Sequence, residues 1–293
     1  ARRVLVQERP AVVVSAGGFT AVPVVRAAAR LGIPCIAHQL DWLPGLANRF
    51  LADRCAAVTS SFAYQTSPFG RRVPVEAIPT PIQFALEGLP ARSQALRQLG
   101  LSANAPAVLV MGGGTGSQAL NGLVDRSWER WRARGWQVLH LTGPGKGGEP
   151  LADPGLWRKP LALPEEMRLL YAAADVVVCR AGLMTLAEAA GLRKPLVLVP
   201  LPESPQEANA RPFAAAEAAI VLSQADPDFD AWAEKAVQRY LRDPAFARLA
   251  VDRAAKVLPA DQGQALAERV WEIIADHAQP VGMPDPIDGT PGI

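Results

Sequence analysis

Three short segments of the chain combine small residues with groups that bind phosphates and sugars. They are the stretches 15–20 (SAGGFT), 112–117 (GGGTGS) and 179–188 (CRAGLMTLAE), and each follows an apolar run and precedes a helical pattern. At a turn from strand to helix, backbone amides and the positive end of the helix favour an anion such as a diphosphate. For the stretch 112–117 the alternative is a tight turn that holds no ligand.

The turn at 112–117 departs from the common nucleotide-binding fingerprints. A dinucleotide-binding fold has Gly or Ala in place of Ser117 and an acidic residue after the next strand, where this chain has His140-Leu141-Thr142. The stretch 143–148 contains Lys146 but lacks the residues of a P-loop. We therefore expect neither NAD nor a Walker-type phosphate site.

The segment 179–188 carries Thr185 and Glu188, which the pattern places in the first turn of a helix. A carboxylate there can accept hydrogen bonds from two vicinal hydroxyls, as on a ribose. The alternative is a capping box, in which Thr185 and Glu188 satisfy the first backbone amides of the helix. Gln206 and Asn209 follow the next strand and are predicted to contact sugar hydroxyls.

Short β-branched runs alternate with helical stretches rich in Ala, Leu and Arg, which is typical of βα units on a parallel sheet. The runs 12–14 and 176–178 are apolar throughout, as expected for strands covered by helices on both faces. The predicted strands are 11–14, 34–37, 56–59, 107–111, 137–141, 175–179 and 196–199. The predicted helices include 20–31, 47–53, 117–134, 164–173 and 186–190.

A proline-rich passage at 68–90 separates two βα systems, so the chain is predicted to form two domains that share a cleft. Two glycine turns would face each other across that cleft, one for a donor and one for an acceptor. The predicted parts are a partial N-terminal acceptor-side domain at 1–85, a linker at 86–104, a nucleotide-sugar-binding domain at 105–260, a helix at 261–278 and a disordered tail at 279–293.

Composition excludes several classes of protein. The 293 residues include 49% apolar and 20% charged side chains, which supports a sizeable core and excludes an intrinsically disordered chain. A formal net charge of +2 and the lack of a basic stripe argue against nucleic acid. The cysteines Cys35, Cys55 and Cys179 lie far apart, which favours a reducing cytoplasm over disulfides or zinc. No apolar run approaches the roughly 20 residues of a spanning helix, and no secretory leader is indicated.

Four segments in order resemble the MurG family, which transfers N-acetylglucosamine from its UDP derivative in peptidoglycan synthesis. The stretch 38–49 (HQLDWLPGLANR) is similar to the HEQN-x-x-PGL-x-N-[RK] segment of that family, and 17–19 (GGF) to its GGY loop. The stretch 112–121 resembles the GGSQGAR-x-LN loop, and 180–188 resembles RSGALT-x-xE. The chain is therefore identified as a member of this family.

The resemblance implies a GT-B fold, with two Rossmann-like domains whose parallel sheets face a cleft. It also implies an inverting transfer that uses no metal or cofactor, in which an acceptor hydroxyl attacks the anomeric carbon. Glu188 would bind the uridine ribose, and Gln206 would touch the N-acetylglucosamine hydroxyls. The remaining donor-binding residues implied by the match are Gly113, Gly114, Thr115, Gly116, Arg180, Leu183, Met184 and Thr185.

The acceptor half departs from the family. HEQN is replaced by His38-Gln39-Leu40-Asp41, and the family's NPVR is replaced by Thr80-Pro81-Ile82-Gln83. The family's Glu is lost from this loop, and Asp41 is the remaining carboxylate that could serve as a general base. The alternative is that Asp41 is a surface residue or a capping residue. The family's first glycine loop would lie before Ala1, so we expect the N-terminal domain to be incomplete. The match implies His38 as a catalytic residue, and it implies the acceptor-binding residues Gly17, Gly18, Phe19, Thr20 and Asn48.

The predicted activity is transfer of a sugar from a UDP-sugar to a lipid-linked acceptor at the cytoplasmic face of the membrane. Trp42, Leu43, Leu46 and Phe50 are predicted either to meet a lipid acceptor or the membrane surface, or to pack against the next helix. One alternative function is a noncatalytic or partner-dependent nucleotide-sugar-binding protein, since the acceptor-side groups are altered. Another is a transferase that acts on a different glycolipid.

Overall fold

The structure is a computed structural model that describes residues 1–70, 72–146 and 153–277, and the predicted tail at 279–293 lies outside them. Every strand pair is parallel, and helices alternate with strands along most of the chain. The first elements are α1 (Arg2–Glu8), β1 (Val13–Ser15), α2 (Ala21–Arg30), β2 (Cys35–Gln39), α3 (Leu46–Leu51), β3 (Ala57–Ser60), β4 (Glu76–Ala77), β5 (Thr80–Pro81) and α4 (Arg92–Gln98). The second group is β6 (Ala107–Met111), α5 (Gln118–Ala133), β7 (Gln137–Leu141), β8 (Leu156–Lys159), α6 (Pro164–Ala173), β9 (Val176–Cys179), α7 (Leu183–Gly191), β10 (Leu196–Leu198), α8 (Pro205–Ala215), β11 (Ile220–Val221), α9 (Phe229–Arg242), α10 (Pro244–Val257), β12 (Ala260–Asp261) and α11 (Gln264–His277).

The smaller sheet has the strand order β1-β2-β3-β4. Ile36 of β2 aligns with Val14 on one side and with Ala57 on the other, so β2 is an inner strand. All five residues of β2 are buried, whereas Val14 on the edge strand β1 is 44% exposed. This half therefore buries its centre and leaves its first strand open to solvent.

The larger sheet has the order β11-β10-β9-β6-β7-β8. Strand β6 pairs with both β7 and β9, so the direction in which strands are added to the sheet reverses at β6. The turns after β6 and β9 therefore leave the same edge of the sheet side by side. Open parallel sheets bind ligands at this kind of switch point. The predicted strands at 107–111 and 137–141 match the observed bounds, and all of their residues are buried except Leu141, which is partly buried.

The passage between the two sheets is packed rather than extended. In α4, Ala95 and Leu96 are fully buried in the core cluster that also contains β6 and β9 residues. The end of the described chain returns to the first half, because β12 pairs with β5 and Arg269 of α11 contacts Glu76 of β4 at 3.1 Å. Segments distant in sequence therefore join the two sheets.

Helix α7 begins three residues before the predicted start at Leu186. Gly182, in an extended conformation, is its N-cap, so Thr185 lies in the third helical position and Glu188 in the sixth. The prediction that both residues lie in the first turn of the helix is therefore wrong for Glu188, and the alternative of a capping box is wrong as well. Burial decides the earlier start, because Leu183 packs into the same core as Leu186.

Five short strands escaped prediction: β4, β5, β8, β11 and β12. Four of them are two residues long, and β8 has the sequence LWRK, which lacks the β-branched run that identified the others. Their strand geometry comes from pairing with a neighbour in space, a signal that the local sequence does not contain.

Candidate donor site and facing acceptor loop

A cavity of about 550 Å³ opens at the carboxyl edge of the larger sheet, where the turns after β6 and β9 meet. Its lining combines a glycine turn, two cations and three glutamines. The lining residues are Gly112, Thr115, Gly116, Ser117, Gln118, Ala119, Lys146, Arg180, Leu201, Gln206 and Gln224.

The glycine turn has a shape that only glycine allows at two positions. A Cβ on Gly112 would lie 2.3 Å from the Ser117 nitrogen, and a Cβ on Gly116, whose φ is +69°, would lie 2.1 Å from the Thr142 carbonyl oxygen. Gly113 and Gly114 face open space. Ser117 caps α5 by accepting a hydrogen bond from the Leu120 amide at 3.3 Å, which explains a serine in place of the dinucleotide-type glycine. The turn therefore presents backbone to the cavity next to a helix N-terminus.

Arg180 joins the β9 turn to two other segments. Its Nη1 donates to the carbonyl oxygens of Val199 at 2.9 Å and Pro200 at 3.1 Å, and its Nη2 donates to Gln224 Oε1 at 2.6 Å. Burial lowers the pKa of this guanidinium from its ordinary value. Arg180 thus adds positive charge to the cavity wall and holds the loop after β10 in place.

Lys146 is an exposed cation on the opposite wall of the cavity. Its Nζ donates to the carbonyl oxygen of Gly116 at 3.3 Å, so the ammonium sits over the glycine turn. Asn121 donates to the backbone oxygens of Thr142 at 3.0 Å and Lys146 at 3.1 Å, which fixes the path of the chain that presents Lys146. An ammonium group beside a turn whose backbone faces the cavity favours a phosphate oxygen as its ligand.

Gln206 is in the first turn of α8, which Ser204 caps. Gln206 Oε1 accepts from the Leu201 amide at 3.0 Å, and among the described residues its Nε2 has no hydrogen-bond partner. The carboxamide therefore has a donor left for a ligand in the cavity.

Glu188 is half-buried one turn after Met184 on α7, outside the lining of the cavity. The hydroxyl of Tyr171, which is fully buried in α6, donates to Glu188 Oε2 at 2.8 Å. Burial raises the pKa of Glu188, and the hydrogen bond from Tyr171 opposes that rise. Glu188 thus has a fixed carboxylate oxygen on the Tyr171 side and a second oxygen that can accept a ligand hydroxyl.

Of the other predicted donor-binding residues, Leu183 is buried, Met184 is 43% exposed and Thr185 is half-buried. The structure therefore brings Thr115, Gly116, Arg180 and Gln206 to one cavity and leaves the α7 residues beside it.

The predicted acceptor turn at 17–20 lies in the smaller sheet. Gly17 and Gly18 have φ of +97° and +83°, and a Cβ on Gly17 would lie 2.8 Å from Asn48 Oδ1. Asn48 is buried and its Nδ2 donates to Gln39 Oε1 at 2.7 Å. Asn48 therefore packs against the buried side of the turn, whereas Phe19 at the tip of the turn is 86% exposed. Thr20 caps α2 without a side-chain hydrogen bond.

His38, a predicted catalytic residue, lies inside the smaller sheet. Its Nδ1 is 2.9 Å from Thr59 Oγ1 and its Nε2 is 3.4 Å from Ser61 Oγ. The residue is 3% exposed, and burial lowers the pKa of His38 below its ordinary value, so the neutral form is favoured. This geometry favours a structural role, since both ring nitrogens already have partners.

Asp41 lies where the two halves meet. Its Oδ1 accepts a hydrogen bond from Asn209 Nδ2 at 2.8 Å, and the Trp42 amide donates to Asn209 Oδ1 at 2.8 Å. Asn209 is in α8, the helix that also carries Gln206. The acceptor-side loop therefore touches the helix that lines the donor cavity.

The predicted apolar patch divides into two parts. The Trp42 ring packs at 5.3 Å from both the Phe62 and the Tyr64 rings, so Trp42 belongs to the core contacts. Leu46 is 84% exposed and Leu43 and Phe50 are about half exposed. Trp42 therefore packs against the protein. Leu43, Leu46 and Phe50 are exposed and lie in the same half as the glycine turn at 17–20.

Sequence reasoning missed Lys146, Gln224 and Tyr171 as members of the site. Comparison with a P-loop gives Lys146 no role, although a cation in the turn after a strand of the same sheet indicates a residue at the edge that holds the site. No local signal marks Gln224, which reaches Arg180 across 44 residues. Among the described residues, no group of three His, Cys, Asp or Glu side chains is arranged to hold a metal ion.

The chain has the GT-B fold, which confirms the predicted fold class. It is similar to the crystal structure of MurG from Acinetobacter baumannii, with a TM-score of 0.68 at 22% identity over 94% of this chain and 76% of that one. It is also similar to CalG4, the calicheamicin glycosyltransferase, with a TM-score of 0.65 at 16% identity over 96% of this chain and 77% of that one.

The sequence narrows this class to one family. The profile of the glycosyltransferase family 28 C-terminal domain matches residues 107–260, and that of the N-terminal domain matches residues 1–60. The chain belongs to glycosyltransferase family 28, and the resemblance inferred from its motifs is confirmed.

Two relatives in this family carry the same name, UDP-N-acetylglucosamine--N-acetylmuramyl-(pentapeptide) pyrophosphoryl-undecaprenol N-acetylglucosamine transferase. The relative from Clavibacter michiganensis subsp. michiganensis is 37% identical over 280 residues, which cover 94% of this chain and 74% of the relative. The relative from Nocardioides sp. is 35% identical over 278 residues, which cover 92% of this chain and 74% of the relative.

Proposed function

We propose that the chain transfers N-acetylglucosamine from UDP-N-acetylglucosamine to a lipid-linked acceptor, as the names of its relatives describe. The observation that carries this proposal is the cavity at the switch point, where the Gly116 turn, Lys146, Arg180 and Gln206 converge. A glycine turn with two cations suits a diphosphate, and a free carboxamide donor suits a sugar hydroxyl.

In the proposed reaction the acceptor hydroxyl attacks the anomeric carbon while the bond from that carbon to the diphosphate oxygen breaks. The hydroxyl proton passes to a general base, and UDP leaves with the bonding electron pair. Lys146 and Arg180 of the cavity lining, together with backbone amides of the turn at 113–115, stabilise the charge that develops on the diphosphate. Attack from the opposite face inverts the configuration at the anomeric carbon.

Asp41 is proposed as the general base. Its carboxylate is half-buried at the boundary between the acceptor loop and α8, and one oxygen, Oδ1, accepts a hydrogen bond from Asn209. The other oxygen is available to accept the proton of an acceptor hydroxyl.

We also propose that the smaller half meets the membrane surface with its exposed apolar side chains. Phe19, Leu46 and Phe50 are exposed, and the guanidinium groups of Arg26 and Arg54 lie 5.8 and 4.9 Å from the Phe50 ring. Exposed apolar side chains with two arginines beside one of them suit an interface with anionic lipid. The proposed location of the reaction, as the family resemblance implies, is the cytoplasmic face of the membrane. Within the described residues no helix combines the length and apolar composition that crossing a bilayer requires.

Calorimetry with UDP and a transfer assay with UDP-N-acetylglucosamine test the donor site through Glu188. If Glu188 holds the ribose hydroxyls, Glu188→Ala weakens UDP binding by about 2 to 4 kcal/mol, because a charged hydrogen-bond partner is lost. Glu188→Gln keeps the shape but not the charge and is expected to fall between wild type and Glu188→Ala.

The matched control is Glu129→Ala, which removes an exposed carboxylate on α5, paired with Arg132 away from the cavity. It is expected to leave UDP affinity unchanged. Unchanged affinity in Glu188→Ala contradicts the proposed ribose contact. UDP binding by the wild type without transfer to any lipid-linked acceptor favours the alternative of a noncatalytic nucleotide-sugar-binding protein.

A further inference from the structure

The carboxamide of Asn209 makes three hydrogen bonds, two to the acceptor-side loop and one to the turn after β9, and so joins these two segments to its own helix α8. Its Oδ1 accepts from the Trp42 amide at 2.8 Å, and its Nδ2 donates to Asp41 Oδ1 at 2.8 Å and to the Ala181 carbonyl oxygen at 3.2 Å. The residue is 1% exposed, the bond to Ala181 is buried, and the bonds to Asp41 and Trp42 are partly buried. An asparagine side chain is the smallest group that can accept on one side and donate twice on the other.

The three segments are those that build the two sides of the cleft. Asp41 and Trp42 belong to the acceptor-side loop, Ala181 follows Arg180 in the β9 turn, and Asn209 lies one turn after Gln206 on α8. A single buried carboxamide therefore links the candidate base, the diphosphate-side turn and the sugar-side helix.

The acceptor-side loop is also anchored in its own half. Gln39 Nε2 donates to the Asp41 carbonyl oxygen at 2.6 Å, and the Tyr64 hydroxyl donates to the Trp42 carbonyl oxygen at 2.8 Å. These bonds hold the backbone of the loop but leave the Asp41 carboxylate free to turn. Asn209 is the side chain that orients the carboxylate itself.

We infer that Asn209 is a positioning residue for transfer, which aligns the Asp41 carboxylate with the sugar bound beside Gln206 and thereby couples the acceptor loop to the donor site. This inference rests on the proposed function. It predicts that changes at Asn209 slow the chemical step while donor binding survives, because the carboxamide does not line the donor cavity.

The test compares three variants in the full chain. Asn209→Asp places two carboxylates against each other, and kcat is expected to fall about 100-fold while the dissociation constant for UDP changes less than about threefold. Asp41→Asn keeps an acceptor for the Asn209 amide, so the link survives and only the ionised group is lost. The double variant Asp41→Asn with Asn209→Asp restores one carboxylate and one amide with their positions exchanged.

Hydrogen exchange of the segment that contains the Trp42 amide reports on the link without any need for activity. Exchange is expected to rise at least tenfold in Asn209→Asp, to stay near wild type in Asp41→Asn, and to return toward wild type in the double variant. Asn104→Asp, an exposed asparagine in the loop before β6, is the matched control and should change neither exchange nor kcat.

Wild-type kcat in Asn209→Asp overturns the inference, as does a loss of UDP affinity equal to the loss in kcat. Wild-type exchange in that variant overturns it as well. Failure of the proposed function has a different signature, because the wild type then transfers no sugar while the exchange pattern of the three variants still tests the link between Asn209 and the loop.

Discussion

The donor half and the acceptor half of the molecule differ in how completely their site groups are held. In the donor half Arg180 is 7% exposed with three hydrogen-bond acceptors, and the strands that carry the turns are fully buried. In the acceptor half Phe19 and Leu46 are more than four-fifths exposed, and the first strand lies at an edge. The nucleotide site is thus preorganised, whereas the acceptor side presents an open apolar surface.

This difference has a physical basis. A small charged donor needs fixed dipoles and cations, because reorganising them during the reaction costs free energy. The proposed lipid-linked acceptor would be held in a membrane, so the surface proposed to meet it can gain its binding energy from apolar contact after the protein has folded. We expect substitutions in the buried framework of the donor half to cost stability and affinity together, and substitutions of the exposed apolar side chains in the acceptor half to alter lipid contact alone.

The largest effect is expected for Gly116→Ala. Its Cβ would lie 2.1 Å from the Thr142 carbonyl oxygen at a φ of +69°, so the turn must open. We expect a loss of about 3 kcal/mol in the free energy of unfolding and no measurable UDP binding. Urea unfolding and calorimetry measure both quantities.

Gly114→Ala is the matched control, since no atom lies within 4 Å of the added Cβ, and its stability should stay within about 0.5 kcal/mol of wild type. Equal losses in the two variants would contradict the shape argument for the turn.

The next effect is expected for Lys146→Met. The ammonium sits over the glycine turn, 3.3 Å from the Gly116 carbonyl oxygen, so its removal should weaken UDP binding about tenfold, or about 1.4 kcal/mol. Lys146→Arg should retain most of the affinity, and neither variant should bind vesicles differently. An unchanged dissociation constant for UDP in Lys146→Met would remove Lys146 from the donor site.

In the acceptor half, Phe19→Ser should weaken binding to vesicles that contain anionic lipid by about fivefold, because one large apolar side chain is removed from the contact. Flotation with liposomes measures this, and UDP affinity and melting temperature should stay at wild-type values. Trp271→Ser, an exposed aromatic on α11 outside the patch, is the control. Equal vesicle binding by wild type and Phe19→Ser would show that the exposed tip is not the contact.

The smallest effect at neutral pH is expected for Tyr171→Phe. Burial raises the pKa of Glu188, so UDP affinity should fall as the pH drops through a value above that of an ordinary glutamate, because the protonated carboxyl binds the ribose less well. Removing the hydroxyl removes the bond that lowers this pKa, so in Tyr171→Phe the loss should begin at a higher pH than in wild type. Calorimetric titrations from pH 5 to pH 8 would show the two curves. Superimposable curves would contradict the coupling.

Much of the fold could be predicted because the relevant signals are local. The strands 107–111 and 137–141 matched their observed bounds, since the first is an apolar run throughout and the second has a Val-Leu core between helical patterns, as buried parallel strands require. The start of α7 could not be predicted in the same way. Gly182 and Leu183 carry no strong capping signal, and the earlier start depends on burial of Leu183 against the rest of the core.

By itself, the sequence determined that this chain is a parallel α/β protein of the MurG type, and it predicted glycine turns for a diphosphate and a carboxylate for a ribose. Residue type and spacing suffice for this, because strand-to-helix turns use contiguous backbone. Only the tertiary structure decided that Asp41 faces Asn209, 168 residues away, and that Lys146, Arg180 and Gln224 share one cavity. Such contacts depend on how the two sheets and their loops pack against each other. Hydrogen bonds between these distant segments follow no periodic pattern of residue types, so the sequence alone does not predict them.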